Sequence, residues 1–240
     1  MTRTFDRPPR LLRGSVAAVV LLLLAGRAGA ARAEAPVLAA PRVLPPPGPW
    51  QVSLGVRESA LRDPGFDPFS TGDSFTQVGL AAMRALPAQG PVVPALGILW
   101  EHGSSDARAR GGQAELTLSR LQVLAEGRFA LAPRLWLTAR VGAGVVLGGV
   151  SLRDPSSPAE LQTSFVTPSL DGSVGVVAHL ARLGRTALLA CAEGGWGWTA
   201  RRTLSLEPDL GTDQDKAGAT SLGTFSAQGL FGRLSLALAY

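Results

Sequence analysis

Three side chains that most proteins use freely are almost absent from these 240 residues: the chain has one cysteine (Cys191), one lysine (Lys216) and one tyrosine (Tyr240). A single thiol excludes an intramolecular disulfide and any cysteine-based metal centre. The strand faces also lack the charge of a soluble surface, where about a quarter to a third of positions are charged. Long apolar runs are scarce as well. Beyond residue 33 no segment approaches the roughly 20 uncharged residues of a membrane-spanning helix. If the chain crosses a bilayer, it crosses with strands.

A charge excess is missing too, once the N-terminus is set aside. The whole chain has a formal net charge of +5 and an isoelectric point near 10.8. Residues 1–33 hold six arginines and one aspartate, which leaves 17 basic and 17 acidic side chains in the remainder. A nucleic-acid partner needs a basic surface and is therefore not expected.

Residues 1–33 carry a targeting pattern instead. Arg3, Arg7, Arg10 and Arg13 precede the apolar run 15–25, and Ala28-Gly29-Ala30 and Ala31-Arg32-Ala33 both offer small-x-small cleavage sites. We expect a signal peptide over 1–33, cleaved after Ala30 or Ala33, and export from the cytoplasm. Residues 34–49 (EAPVLAAPRVLPPPGP) are proline-rich and read as an extended lead-in. One domain follows, over 50–240.

From Trp50 onward the chain alternates with the period of a strand. Trp50, Val52, Leu54 and Val56 share one face, opposite Gln51, Ser53, Gly55 and Arg57. The alternation returns over 74–86, 96–100, 120–131, 135–147, 169–180, 188–198 and 230–240, giving eight strands and no convincing helix. The connections alternate in length. Polar segments at 58–73, 102–112, 153–162 and 200–220 are long, and those at 87–91, 132–134 and 181–185 are tight. The closing segment LFGRLSLALAY sets Leu234, Leu236, Leu238 and the aromatic Tyr240 on one face. Trp50, Trp100, Trp196, Trp198 and Tyr240 all fall at the ends of apolar faces, where an aromatic girdle lies.

Long loops at one end, tight turns at the other and a final aromatic strand resemble the small OmpA- or OmpX-like outer-membrane barrels. The resemblance covers the domain 50–240 by pattern. It implies an all-β fold, an eight-stranded antiparallel up-and-down transmembrane β-barrel in the outer membrane of a Gram-negative bacterium. It further implies a structural or surface-interaction role without enzymatic activity, metal or cofactor, exposing four loops whose partner the sequence does not name. Outer-membrane lipid would surround the barrel. The assembly machinery would read the closing strand through Leu234, Leu236, Leu238 and Tyr240.

An eight-stranded barrel is just wide enough for its interior to be filled by side chains, so inward charges should pair. The tight turn at Pro133 sets Leu131 against Leu135, which places Glu126 opposite Arg140 and Arg128 opposite Thr138. Setting Leu180 against Thr186 would place Ser173 opposite Glu193. The expected interior polar network comprises Arg120, Glu126, Arg128, Arg140, Asp171, His179, Glu193 and Arg233. A narrow conduit for small solutes is the functional alternative to a satisfied polar core.

One constellation points to chemistry. His102 and Ser104 continue the outward register of Ile98 and Trp100, and Glu115 shares the outward parity of Leu121 on the next strand. A serine, a histidine base and a carboxylate orienter are the parts of a serine hydrolase. Placed on the rim of a barrel, these three positions resemble the lipid A deacylases, which use a His-x-Ser pair and a glutamate. Ser105 stands where that family usually has asparagine. The glycine-rich 141–149 (VGAGVVLGG) has Leu147 in the third position a dinucleotide loop requires and reads as inward packing space. Asp209, Asp213 and Asp215 lack the glycine and closing glutamate of a calcium loop.

Overall fold

The computed structural model describes residues 48–61, 63–70, 72–109, 112–153, 160–208 and 220–240. The expected signal peptide, most of the lead-in and Asp209, Asp213 and Asp215 lie outside the described residues. Ten strands and one short 3-10 helix occur among those described. They are β1 (Trp50–Ala60), the 3-10 helix (Pro64–Phe69), β2 (Ser74–Ala85), β3 (Val92–Ala109), β4 (Gly112–Ala132) and β5 (Leu135–Arg153). β6 (Glu160–Leu183), β7 (Thr186–Thr199), β8 (Arg202–Pro208), β9 (Thr220–Phe225) and β10 (Gly229–Ala239) follow.

Eight of these strands close into a ring of antiparallel neighbours, β1 through β7 in chain order and then β10, which returns to β1. Closure pairs Gln51 with Ala239 at one end and Ser59 with Phe231 at the other. Trp50 N–H donates to the carbonyl of Tyr240 (3.1 Å), and Tyr240 N–H donates to the carbonyl of Trp50 (2.9 Å). The closing strand is thereby paired on both edges, and the ring has no open edge. The chain is a closed, eight-stranded, up-and-down β-barrel.

The extra two strands correct the expected count. β8 and β9 form a hairpin inside what reads as the last polar loop, and β8 also pairs with the start of β6. Of the expected loop 102–112, residues 102–109 and 112 are likewise strand, laddered from His102 opposite Ser119 to Ala109 opposite Gly112. Backbone pairing holds this extension together where side-chain hydrophobicity gives little signal. β3 to β6 thus rise beyond the others at the loop end, and β1, β2, β7 and β10 stop earlier.

Alternation sends the two faces to opposite environments. Outward side chains form a continuous apolar belt, from Leu54 and Leu80 through Ile98, Val123 (65% exposed) and Val141 to Val174 and Leu236. On β4 the belt runs from Leu121 to Leu131. That is about 34 Å of strand at ~3.4 Å per residue, or about 24 Å of height at a ~45° tilt. Ser119, Thr117 and Glu115 then take over the outward positions. Trp50 and Tyr240 edge the belt at the turn end, and Trp100, Trp196 and Trp198 edge it at the loop end, all exposed.

The interior is charged only in its middle. At the loop end, Phe66 and Phe69 of the 3-10 helix, Leu204 and Leu206 of β8 and Phe225 of β9 pack against inward Leu116, Leu118, Val146 and Val150. This cluster caps the mouth. Asp63 ties the cap down, accepting from Gly65 N–H (2.9 Å) and from the hydroxyl of Ser226 (2.6 Å). Toward the turn end, Met83, Leu99 and Leu124 pack on one side, and Trp136, Val177 and Leu189 on the other. A polar interior was expected throughout. Both ends are apolar instead, because inward parity continues through Leu116 and Leu118 above and Trp136 below.

Candidate functional site

Nine charged side chains meet in the middle of the barrel, contributed by every ring strand except β2. Arg128 Nε donates to Glu126 (2.5 Å), and Arg140 Nε donates to the same carboxylate (2.8 Å). Arg140 Nη1 reaches across to Glu193 (2.8 Å), which also accepts from Arg233 and from the hydroxyl of Ser173 (2.9 Å). Arg233 Nε donates to Glu101 (2.8 Å), whose other oxygen lies 3.3 Å from Arg57 Nη1 and 3.6 Å from Arg120 Nε. Asp171 completes the chain, accepting from Arg57 (2.5 Å) and Arg120 (2.7 Å). Five guanidiniums share four carboxylates.

Such a network is stable only if each ion removed from water finds partners of good geometry. Arginine suits the task because its planar fork reaches two carboxylates at once. Arg57 also lies 3.8 Å from the ring centre of Phe231, and Arg233 lies 5.2 Å from it. Room comes from inward glycines. A methyl group on Gly197 would sit 2.6 Å from Arg57 Nη2 and 3.0 Å from Asp171, and one on Gly79 would sit 2.8 Å from Glu101 Cγ. Gly142 faces Gln122 and Leu124 in the same way.

Of the eight expected network residues, seven are here. Glu126 stands opposite Arg140 and Arg128 opposite Thr138 as expected, although the turn itself closes on Ala132 opposite Leu135, not Leu131, and a bulge between Ala130 and Ala132 restores the register. His179 is apart from the network: it lies opposite Leu189 near the turn end, and its buried Nε2 has no hydrogen-bond partner among the described residues. Ser173 faces Gly195 and Glu193 faces Gly175, two residues away from the expected pairing. The slip comes from the turn, which closes on Leu183 opposite Thr186 around Gly184 (φ 63°), three positions later than Leu180; a bulge between His179 and Ala181 takes one position back. Arg57 and Glu101 are additional members, 2% and 1% exposed. Parity alone could have found both, since each alternates with outward neighbours (Val56 and Trp100).

The three candidate hydrolase residues are not brought together. His102 is exposed, stacks on Trp100 and shares a 2.8 Å hydrogen bond through Nδ1 with Ser119. Ser104 pairs with Thr117, and Glu115 pairs with Asp106. Glu115 is four residues from Ser119 along β4, about 13 Å at the strand rise. The carboxylate is therefore out of reach of the imidazole.

A closed antiparallel ring with an apolar exterior, a buried ion-pair layer and all long connections at one end defines a class, the small up-and-down β-barrels whose polarity is reversed relative to soluble proteins. No protein-family model matches the chain, and no curated protein matches it. Among solved structures it is similar to the outer membrane protease OmpT of Escherichia coli, at 9% identity over 79% of this chain and 95% of that one, with a TM-score of 0.48. It is also similar to Ail, the attachment invasion locus protein of Yersinia pestis (10% identity, 80% and 96% covered, TM-score 0.42). Neisserial surface protein A is a third such structure (11% identity, 80% and 96% covered, TM-score 0.42).

Proposed function

We propose that this chain is an outer-membrane β-barrel of a Gram-negative bacterium, with a structural or surface-interaction role carried by its loop end. The observation that carries this reading is the reversal of polarity. Side chains such as Val123 and Val174 are each 65% exposed, while Arg57 and Glu101 are almost fully buried. In water that arrangement would leave a ring of exposed aliphatics far larger than a monomeric surface normally shows. In a bilayer both faces are satisfied, and the closed ring leaves no backbone group unpaired in lipid. The N-terminal export pattern supports the same location, and the closing strand with Tyr240 is the feature the assembly machinery would engage.

A barrel sealed by apolar clusters on both sides of its charged layer is suited to display rather than to passage. Its surface for partners is then the cap of 3-10 helix and β8–β9 hairpin, with the tall β3–β6 wall behind it. Two experiments test the reading. The protein should pellet with outer membranes and migrate differently on gels with and without boiling, and purified protein should give no steady current in a planar bilayer. A protein that stays soluble after cell breakage contradicts the location, and a stable conductance contradicts the closed interior.

A further inference from the structure

The two ends of the barrel carry different charge. Every exposed carboxylate among the described residues, namely Glu58, Asp67, Asp73, Asp106 and Glu115, sits at the loop end. At the turn end stand four exposed arginines, Arg84, Arg134, Arg182 and Arg185, with no acidic side chain among the described residues there. Each of the three tight turns is served by at least one of them. Arg84 closes β2, Arg134 lies in the β4–β5 turn, and Arg182 and Arg185 flank the β6–β7 turn.

Their height is set by the belt. Arg84 holds its guanidinium 5.5 Å from the ring centre of Trp50, an exposed girdle residue. Arg134 follows exposed Leu131, and Arg182 lies between exposed Leu180 and Leu183. The arginines therefore stand where hydrocarbon gives way to headgroups. None of the four has a carboxylate partner in the described structure; Arg182 Nε donates only to the carbonyl of Gly184, at 3.2 Å. Guanidinium forks without carboxylates, ringed by apolar and aromatic side chains, match the phosphate of a lipid.

We infer that the turn-end rim is a binding surface for anionic glycerophospholipid of the periplasmic leaflet, with the phosphates held by Arg84, Arg134, Arg182 and Arg185. The inference rests on the reading of the chain as a membrane barrel with its turns in the periplasm. It goes beyond that reading, since a barrel could span equally well in neutral lipid. A basic side chain near an anionic surface raises local lipid affinity about fivefold. The effect should fade at 1 M salt, where the screening length is only about 3 Å.

Trp50 is a local reporter. With Trp100, Trp196 and Trp198 replaced by Phe, the remaining fluorescence comes from Trp50 and the interior Trp136. The protein is folded into phosphatidylcholine vesicles containing phosphatidylglycerol, with bromine on the chains of one lipid or the other. Altered migration without boiling, together with retention by carbonate-washed vesicles, establishes the inserted barrel, and its loss would sink the membrane reading itself. Given insertion, brominated phosphatidylglycerol should quench Trp50 with about fivefold selectivity over brominated phosphatidylcholine. That ratio should fall toward one at 1 M salt and in Arg84→Gln, and stay unchanged in the loop-end variant Arg201→Gln/Arg202→Gln. A ratio of one in the inserted parent protein overturns the inference. So does an equal loss in the loop-end variant, which would show a net-charge effect without a site.

Discussion

Neutralising Glu101 is the sharpest perturbation of the interior. Its carboxylate is 1% exposed and holds Arg233 through Nε and Nη2 (2.8 and 2.7 Å), with Arg57 at 3.3 Å and Arg120 at 3.6 Å. Glu101→Gln keeps the shape and leaves five guanidiniums facing three carboxylates. Removing one member of a buried ion pair costs about 3–5 kcal/mol. Asp171 still holds Arg57 and Arg120, and Glu193 still holds Arg233, so the lower end of that range, about 3 kcal/mol, is expected. Adding Arg120→Met removes one of the excess cations. The double variant should then be at least about 1 kcal/mol more stable than the sum of the two single losses. The assay is a urea titration of the barrel in detergent or vesicles, with the folded fraction read from migration on unboiled gels. Exposed Glu115→Gln serves as a control and should stay within about 0.5 kcal/mol. A Glu101→Gln cost no larger than this control, or strict additivity with Arg120→Met, would refute the argument that the charges form one coupled layer.

Three further outcomes follow from the same geometry. Gly197→Ala places a methyl group against the Arg57–Asp171 pair and should cost about 1–3 kcal/mol by overpacking, measured in the same titration. Phe69→Ala removes a ring that is 0% exposed from the cap; its cost of about 3–5 kcal/mol should appear as rapid proteolysis at the loop end while the membrane-embedded part resists. Deleting Tyr240, or introducing Leu236→Asp in the β1–β10 seam, should lower the amount of assembled barrel in the membrane fraction far more than a change such as Ser205→Asp in the hairpin.

Much of this architecture is legible in the sequence because a strand has a period of two, and one register decides every side chain on it. The outward belt and seven network residues follow from that alone, and the tight turn at Pro133-Arg134, together with the bulge at Leu131, sets Glu126 against Arg140. The β6–β7 register is not legible. The strand runs on to Leu183, so the turn is tighter than 181–185 by three positions, and the bulge at Leu180 takes back only one, so the pairing slips unseen. The cap is missed for a different reason. Phe66, Phe69, Leu204, Leu206 and Phe225 are scattered among turn-forming and charged residues, and their common destination exists only in three dimensions. Their spacing does carry a trace of it, since Leu204 and Leu206 alternate as a strand should. The hydrolase constellation failed on distance: parity places His102 and Glu115 on one face, but the β3–β4 ladder gives His102 to Ser119.

The central claim is that the odd-numbered face of β4 meets lipid. In a Cys191→Ala background, single cysteines at positions 121, 122, 123 and 124 can be spin-labelled and exposed to oxygen, which partitions into bilayers, or to a water-soluble nickel chelate. Leu121 and Val123 are 50% and 65% exposed, and Gln122 and Leu124 are each 1% exposed. Labels at 121 and 123 should relax strongly with oxygen and hardly at all with nickel, while labels at 122 and 124 respond to neither. Labels at 121 and 123 open to nickel and closed to oxygen would place this barrel in water and contradict the account.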